Sequence, residues 1–377
     1  MPHKLLRMHR TKPEQAPGQR PVMIAIAGDS AAGKTTLTRG LVNALGPERM
    51  TAVCVDDYHR YDRAERKGLP FTALHPDCNY VDITEQHLQL LATGHPILKP
   101  VYDHETGKLG RPELITPKEF VVVEGLLPLH TKLECACFDV TVYLNPPEDI
   151  RRGWKIKRDT GQRGYTPEQV LAELERREPE SEAFIRPQRQ HADIVVRFGP
   201  VANRQDPPGT PLSAELLLRP TIRHPNLSEL LAESGGPMHL KLTRDENGRP
   251  VDALHIHGYA PREDSQVLEK AIWASLSEDA ELPGRLGVLD DADRRSEPLS
   301  IAAPAAVPPA GGGPLGRRSR GAGGEPGQRQ RNLSRKRRKT RPREAAEACH
   351  EITDGQDSSS TGVSCFTWIP RSAACGR

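Results

Sequence analysis

A chain of 377 residues with 53 Lys/Arg against 50 Asp/Glu carries a formal charge of only +3, too small to mark a nucleic-acid or membrane-surface binder by itself. The charge is unevenly spread: residues 301–377 hold 14 basic and 6 acidic residues, residues 1–300 hold 39 and 44, so a mildly acidic body carries a basic tail. No apolar run reaches the roughly 18–20 residues of a bilayer span, which excludes a helical membrane protein. Residues 1–21 are polar, without the apolar segment of a secretory leader. The seven cysteines are odd in number and lack metal-ligand spacing, Cys135-Ala136-Cys137 being too tight for a zinc knuckle, so a reducing cytoplasm is expected.

In chain order, a flexible N-terminus (1–20) precedes a core (21–200) in which short apolar runs alternate with helix-compatible stretches. Val22–Ala27, Ala52–Val55, Phe120–Val123, Val140–Leu144 and Ile194–Arg197 are predicted strands. Their apolar character is continuous, not alternating, as in strands covered on both faces of a parallel sheet. Lys34–Leu45, Thr84–Thr93 and Pro167–Arg177 have helical spacing, the last opened by Thr166 as N-cap and Pro167 at the first helical position. The expected fold class is α/β, a mostly parallel sheet flanked by helices. Gly199–Leu212 is predicted as a long loop. Residues 201–300 extend the same body with short strands at Glu215–Leu218, His239–Thr243 and Leu254–His257 and an amphipathic helix at Gln266–Leu276. The turn residues Asp245–Arg249 suggest a hairpin. From 301 to 377 the sequence is Ala/Pro/Gly- and Arg-rich, with Phe366 and Trp368 its only aromatic residues, and is expected to be disordered.

The strongest chemical signal is Gly28-Asp29-Ser30-Ala31-Ala32-Gly33-Lys34-Thr35, followed by Thr36, which fits G-x-x-x-x-G-K-[ST] between a predicted strand and a predicted helix. Glycines let backbone N–H groups curl around phosphate oxygens, and the helix N-terminus adds its dipole. Lys34 is expected to neutralise the β- and γ-phosphates of ATP, and Thr35 to ligate Mg2+. No Asn-Lys-x-Asp is present to read guanine. Val53–Arg63 then leaves a strand with Asp56 and Asp57, followed by His59 and Arg63. A kinase of small molecules needs a carboxylate to take the acceptor's proton, the role read for Asp56. It also needs cations for an acceptor phosphate, the role read for His59 and Arg63, four apart on one side of a short helix. Glu124, ending an apolar strand, is read as an acidic group oriented toward magnesium. Five basic residues between Arg152 and Arg163, ending in Gly164, read as a lid that brings cations onto transferring phosphates. The absence of interleaved aromatics and the acidic body argue against nucleic acid.

Residues 155–168 fit K-[LIVM]-x-R-D-x3-R-G-x-[ST]-x-E at every specified position. With Lys99–Gly107, Val123–Pro128, Phe184–Gln188 and Ala192–Val196, they resemble blocks of the phosphoribulokinase/uridine kinase family of P-loop enzymes. The likeness runs over roughly residues 20–300 and is greater to the longer, plant- and cyanobacterial-like members. The resemblance implies ATP-dependent phosphorylation of D-ribulose 5-phosphate. It makes Asp56 the base, places His59, Arg63, Lys155 and Arg158 around the sugar phosphate, sets Asp159 and Glu124 near magnesium and puts Arg163 in the lid. Tyr102 and His104 are further substrate-side candidates. Light-regulated members pair a P-loop Cys with one just before the catalytic Asp. Ala32 stands at the first position here and Cys54 at the second, so that bridge is not expected. Where such members continue Ser-Glu-Pro-Leu with an apolar closing helix, Ser296–Leu299 runs directly into Ala/Pro/Gly sequence, and the helix is expected to be missing, as a change of reading frame would leave it. The alternatives are a uridine-kinase-like nucleoside kinase and a non-catalytic nucleotide- or nucleic-acid-binding protein acting through Arg335–Lys339. A homodimer is left open.

Overall fold

A computed structural model of the chain describes residues 20–201, 210–221, 227, 231, 238–276, 286–288 and 295–307. All but Arg20 of the N-terminus expected to be flexible (1–20), most of the loop predicted after Gly199 and the tail from 308 lie outside the described residues. The chain begins with β1 (Val22–Gly28), the P-loop, α1 (Lys34–Leu45) and β2 (Met50–Cys54). After a 3-10 turn at Val55–Tyr58 come α2 (Val81–Ala92), β3 (Ile97–Lys99), β4 (Tyr102–Asp103), β5 (Lys108–Leu109), β6 (Glu113–Ile115) and β7 (Phe120–Gly125). Then follow α3 (Lys132–Ala136), β8 (Val140–Leu144), α4 (Glu148–Gln162), α5 (Pro167–Glu180), a π-helical turn at Ser181–Ile185, a 3-10 turn at Arg186–His191 and β9 (Ile194–Gly199). The rest comprises β10 (Ser213–Leu218), β11 (Met238–Arg244), β12 (Pro250–Ile256), α6 (Arg262–Leu276) and α7 (Glu297–Ala305).

Eight of the strands form one sheet in the order β11-β12-β10-β9-β8-β1-β7-β2. From β2 to β9 all neighbours are parallel; β9-β10, β10-β12 and β12-β11 are antiparallel. The expected β-rich extension is therefore a continuation of the same sheet, and the hairpin at Asp245–Arg249 joins β11 to β12. β1, the middle one of the five parallel strands, is buried from its second residue on: Met23, Ile24, Ala25, Ile26 and Ala27 are all 0% exposed. Ile24, Ile26, Val122 and Val142 face a core under α1, α6 and α7 with Leu41, Trp273 and Ile301. Met23, Ala25, Val121 and Val123 face a second core with Leu88 and Leu91 of α2. Two covered faces explain why these strands lack polar alternation.

The closing helix corrects one expectation. α7 exists, and its Ala/Pro-rich continuation is buried: Ile301, Ala303 and Ala306 are 0% exposed. Ser296 caps it by accepting from Leu299 N–H, and Pro298 lies in its first turn, where no intrahelical N–H is needed. A Cβ on Gly40 of α1 would sit 3.4 Å from Ala303 Cβ, so small residues on both sides let the two helices approach closely. Tertiary burial here offsets the break expected of Pro304 inside the helix. Disorder from residue 301 was the wrong expectation for 301–307.

Candidate active site

The carboxyl ends of the parallel strands converge beside β1, where the chain crosses to either side of the sheet, the usual crevice of such folds. Gly28 (φ 150°) lies against Leu144, whose carbonyl oxygen would be 2.8 Å from an added Cβ, and Gly33 has φ 99°. Only glycine meets both demands without strain. Lys34 is buried and donates from Nζ to the carbonyls of Gly28 (2.9 Å) and Asp29 (3.0 Å), which arches the loop over its own lysine. The Asp29 carboxylate accepts from Ser30 N (2.6 Å) and from Ser181 Oγ, with Arg151 Nη1 3.5 Å away. Its side chain thus braces the loop against the turn after α5. Arg151 Nη1 also donates to Ser30 O (3.0 Å), and Arg158 Nη2 to Ser30 Oγ (3.3 Å).

Thr35 Oγ1 donates to Glu124 Oε2 at 3.3 Å, joining the start of α1 to the end of β7. Burial pushes the Glu124 carboxyl up, an effect Lys34 opposes and Asp56 reinforces. Asp56 lies in the 3-10 turn Val55–Tyr58 that follows β2 and accepts from Leu126 N on its Oδ1 at 2.8 Å. Its neighbour differs: Asp57 is ion-paired with the buried Lys99 and accepts from Tyr102 N (3.2 Å). Of the two consecutive carboxylates the second is bound into the scaffold.

His59 and Arg63 do not share a helix face as expected, because the 3-10 turn ends at Tyr58 and His59 is extended (ψ 138°). His59 Nδ1 lies 2.7 Å from Asn79 Oδ1, and burial, aided by Arg66, pulls its pKa down to about 4. It is a neutral imidazole at physiological pH, not a standing cation. Arg63 donates to the carbonyls of His104 (2.6 Å) and Glu105 (3.1 Å), bracing the turn between β4 and β5. Tyr102 stands edge-on to both His59 and His104, at 4.8 and 5.0 Å between centroids. Burial lowers the His104 pKa as well, against the pull of Asp56. Arg66, which the sequence reading passed over, donates to Tyr102 Oη (2.6 Å) and stacks on that ring.

The basic stretch read as a lid lies on a helix as far as Gln162. On α4, Arg151, Lys155 and Asp159 recur every four residues and form its buried stripe. Asp159 gathers Lys155 Nζ (2.8 Å), Arg158 Nε (2.8 Å) and Arg163 Nη1 (3.4 Å). Burial would raise its pKa, but the hydrogen bonds from Arg158 and Lys155 outweigh that and hold it well below the carboxylate range. Burial, with Arg177 nearby, brings Lys155 down to about 8. α4 ends at Gln162 with Arg163 as its C-cap, Gly164 turns the chain at φ 70°, and a capping box of Thr166 with Gln169 starts α5. Asp159 therefore gathers cations, while the hydroxyl–carboxylate pair beside the P-loop is Thr35 with Glu124. Cys54, Cys78 and Cys137 are free thiols, and burial followed by Asp56 and Glu124 raises the Cys54 pKa well above its usual value.

A phosphate-binding loop at the crossover of a mostly parallel sheet, with strand-end carboxylates across from a helix of clustered cations, defines a P-loop protein of kinase architecture. The "Phosphoribulokinase / Uridine kinase family" profile matches residues 23–204. A phosphoribulokinase of Synechocystis is 40% identical over 204 residues, 54% of this chain and 61% of that protein. The chloroplastic phosphoribulokinase of Triticum aestivum is 34% identical over 293 residues, 69% of this chain and 72% of that one. The solved phosphoribulokinase from Rhodobacter spheroides shares the fold at TM-score 0.50 and 17% identity, covering 66% of this chain and 94% of its own. The chain belongs to the phosphoribulokinase/uridine kinase family. Among the described residues no helix is long and apolar enough to cross a membrane.

Proposed function

We propose that the protein transfers the γ-phosphoryl group of ATP to O1 of D-ribulose 5-phosphate, giving ADP and D-ribulose 1,5-bisphosphate. The observation that carries this reading is the Asp56 carboxylate, held by Leu126 N–H at the strand end next to Glu124 and the P-loop. Asp56 takes the hydroxyl proton as O1 attacks phosphorus, and the β–γ bridging oxygen leaves with ADP. Lys34 and the P-loop N–H groups hold the nucleotide phosphates. Thr35 and Glu124 are hard oxygen donors within 3.3 Å of each other, which suits a magnesium ion bound by few protein groups and by phosphate oxygens. Such an ion supplies charge neutralisation on the transferring group. Lys155, Arg158 and Arg163, gathered by Asp159, supply positive charge beside the loop, which Arg158 touches at Ser30. A cation-rich acceptor side fits a phosphorylated sugar better than an uncharged nucleoside, and the names of the two most similar relatives reported above agree. ADP release measured side by side with ribulose 5-phosphate and with uridine tests the reading. Turnover with the sugar phosphate is expected; turnover with uridine alone overturns it.

A further inference from the structure

We infer that Gln188 is a positioning residue for the Asp56 carboxylate, acting through the backbone of Leu126. The inference rests on the function proposed above and adds a determinant of it. Gln188 is 2% exposed and lies in the 3-10 turn Arg186–His191. Its Nε2 donates to Leu126 O (2.7 Å) and Phe184 O (3.0 Å), and its Oε1 accepts from Leu129 N (2.9 Å). Both amide protons and one acceptor site are used, and a flipped amide would lose all three bonds, so the group has one orientation. Leu126 is thereby held by its carbonyl, while its N–H, on the other side of the same Cα, donates to Asp56 Oδ1 at 2.8 Å.

The contact between the two segments is too tight to absorb movement. A Cβ on Gly125 (φ 154°) would come within 2.8 Å of Asp56 Oδ1 and 2.2 Å of Val55 Cγ2. Any shift of residues 125–126 therefore displaces the carboxylate. The segment that carries Gln188 begins with Ser181, whose hydroxyl donates to Asp29 of the P-loop. One stretch, Ser181–Gln188, thus touches the nucleotide loop at one end and the support of the base at the other. It sets the spacing between donor and acceptor sides, where a misplacement of about 1 Å can cost about 100-fold in rate.

The test is a double-mutant cycle on the full chain, read as transfer of labelled phosphate from ATP to ribulose 5-phosphate. Gln188→Met keeps the volume and removes all three hydrogen bonds. It should lower kcat about 10- to 100-fold while the KM for ATP stays within about twofold. In an Asp56→Asn background the same substitution should cost nothing further, because the group it positions is gone. Equal losses in both backgrounds, or an unchanged kcat in Gln188→Met, overturn the inference and leave Gln188 a packing residue. Gln188→Glu keeps the length and the acceptor for Leu129 N, and the same cycle is read on it should the methionine variant fail to fold. A wild-type protein inactive on ribulose 5-phosphate sinks the functional reading, whereas an active one with additive losses sinks only the role of Gln188.

Discussion

Two adjacent aspartates that look equivalent in the sequence have opposite surroundings. Asp56 takes a single backbone hydrogen bond, whereas Asp57 is locked to Lys99, with the two side chains 14% and 7% exposed. Asp56→Asn should lower kcat by about 10²–10⁴ with the Kd for ATP nearly unchanged, since a base is lost and no phosphate contact is. Asp57→Asn should act on stability instead: stranding a buried lysine costs about 3–5 kcal/mol, visible as a lower denaturation midpoint with turnover retained in the folded fraction. The reverse pattern would exchange the two roles. Lys155 offers a pH test. Its pKa of about 8 means the ammonium is lost as pH rises through 8, while Asp159, held low, stays ionised throughout. The activity ratio of wild type to Lys155→Met should therefore be largest near pH 7 and fall toward unity at pH 9.5. A ratio independent of pH would remove Lys155 from the charge set that acts on phosphate.

At the scale of elements, legibility followed the kind of residue each element buries. Lys34–Leu45 and Val140–Leu144 were legible to the residue because each presents aliphatic side chains to the core. α4 was not legible as a helix: its buried stripe is Arg151, Lys155 and Asp159, so a search for apolar periodicity finds only a basic cluster. The same blindness hid Arg66, Asn79 and Lys99, whose importance lies in partners far away in sequence: Tyr102, His59 and Asp57. The placement of the P-loop between a strand and a helix, and of Asp56 and Glu124 at or just past strand ends, was legible because strand, turn and helix order fix those positions locally. α7 was missed for another reason, since alanine and proline promise little until α1 and α6 are there to cover them. Leu299, 2% exposed against Gly40, gives the measure of that packing. Leu299→Ala should cost about 2–5 kcal/mol in chemical denaturation, the usual range for a buried leucine. A change under about 0.5 kcal/mol, the range of surface substitutions, would mean that α7 is not docked as described.

For the whole molecule the division of charge becomes a division of labour. The described core closes at Val307, which is 6% exposed, and the P-loop, Asp56, Glu124 and the cations around Asp159 all precede residue 200. Residues 301–307 carry no charge, so the 14 basic and 6 acidic residues counted from 301 onward all lie beyond the helix that completes the core. The chain to Val307 is thus net acidic, and removing residues 308–377 reverses the sign of the protein. Electrostatic attraction to a polyanion scales with the cations that displace its counterions and weakens steeply with salt. The full chain should therefore be retained on heparin at low ionic strength and released by moderate salt, while a chain ending at Val307 should flow through. Both should show the same kcat and the same KM for ATP and ribulose 5-phosphate, because no group of the candidate site is lost. A truncation made before Ser296 is the contrasting control: it removes α7, uncovers Leu41 and its neighbours on α1, and should lower stability and promote association. Loss of activity in the chain ending at Val307, with α7 intact, would show that residues 308–377 contribute to catalysis and that the boundary drawn at the end of α7 is wrong.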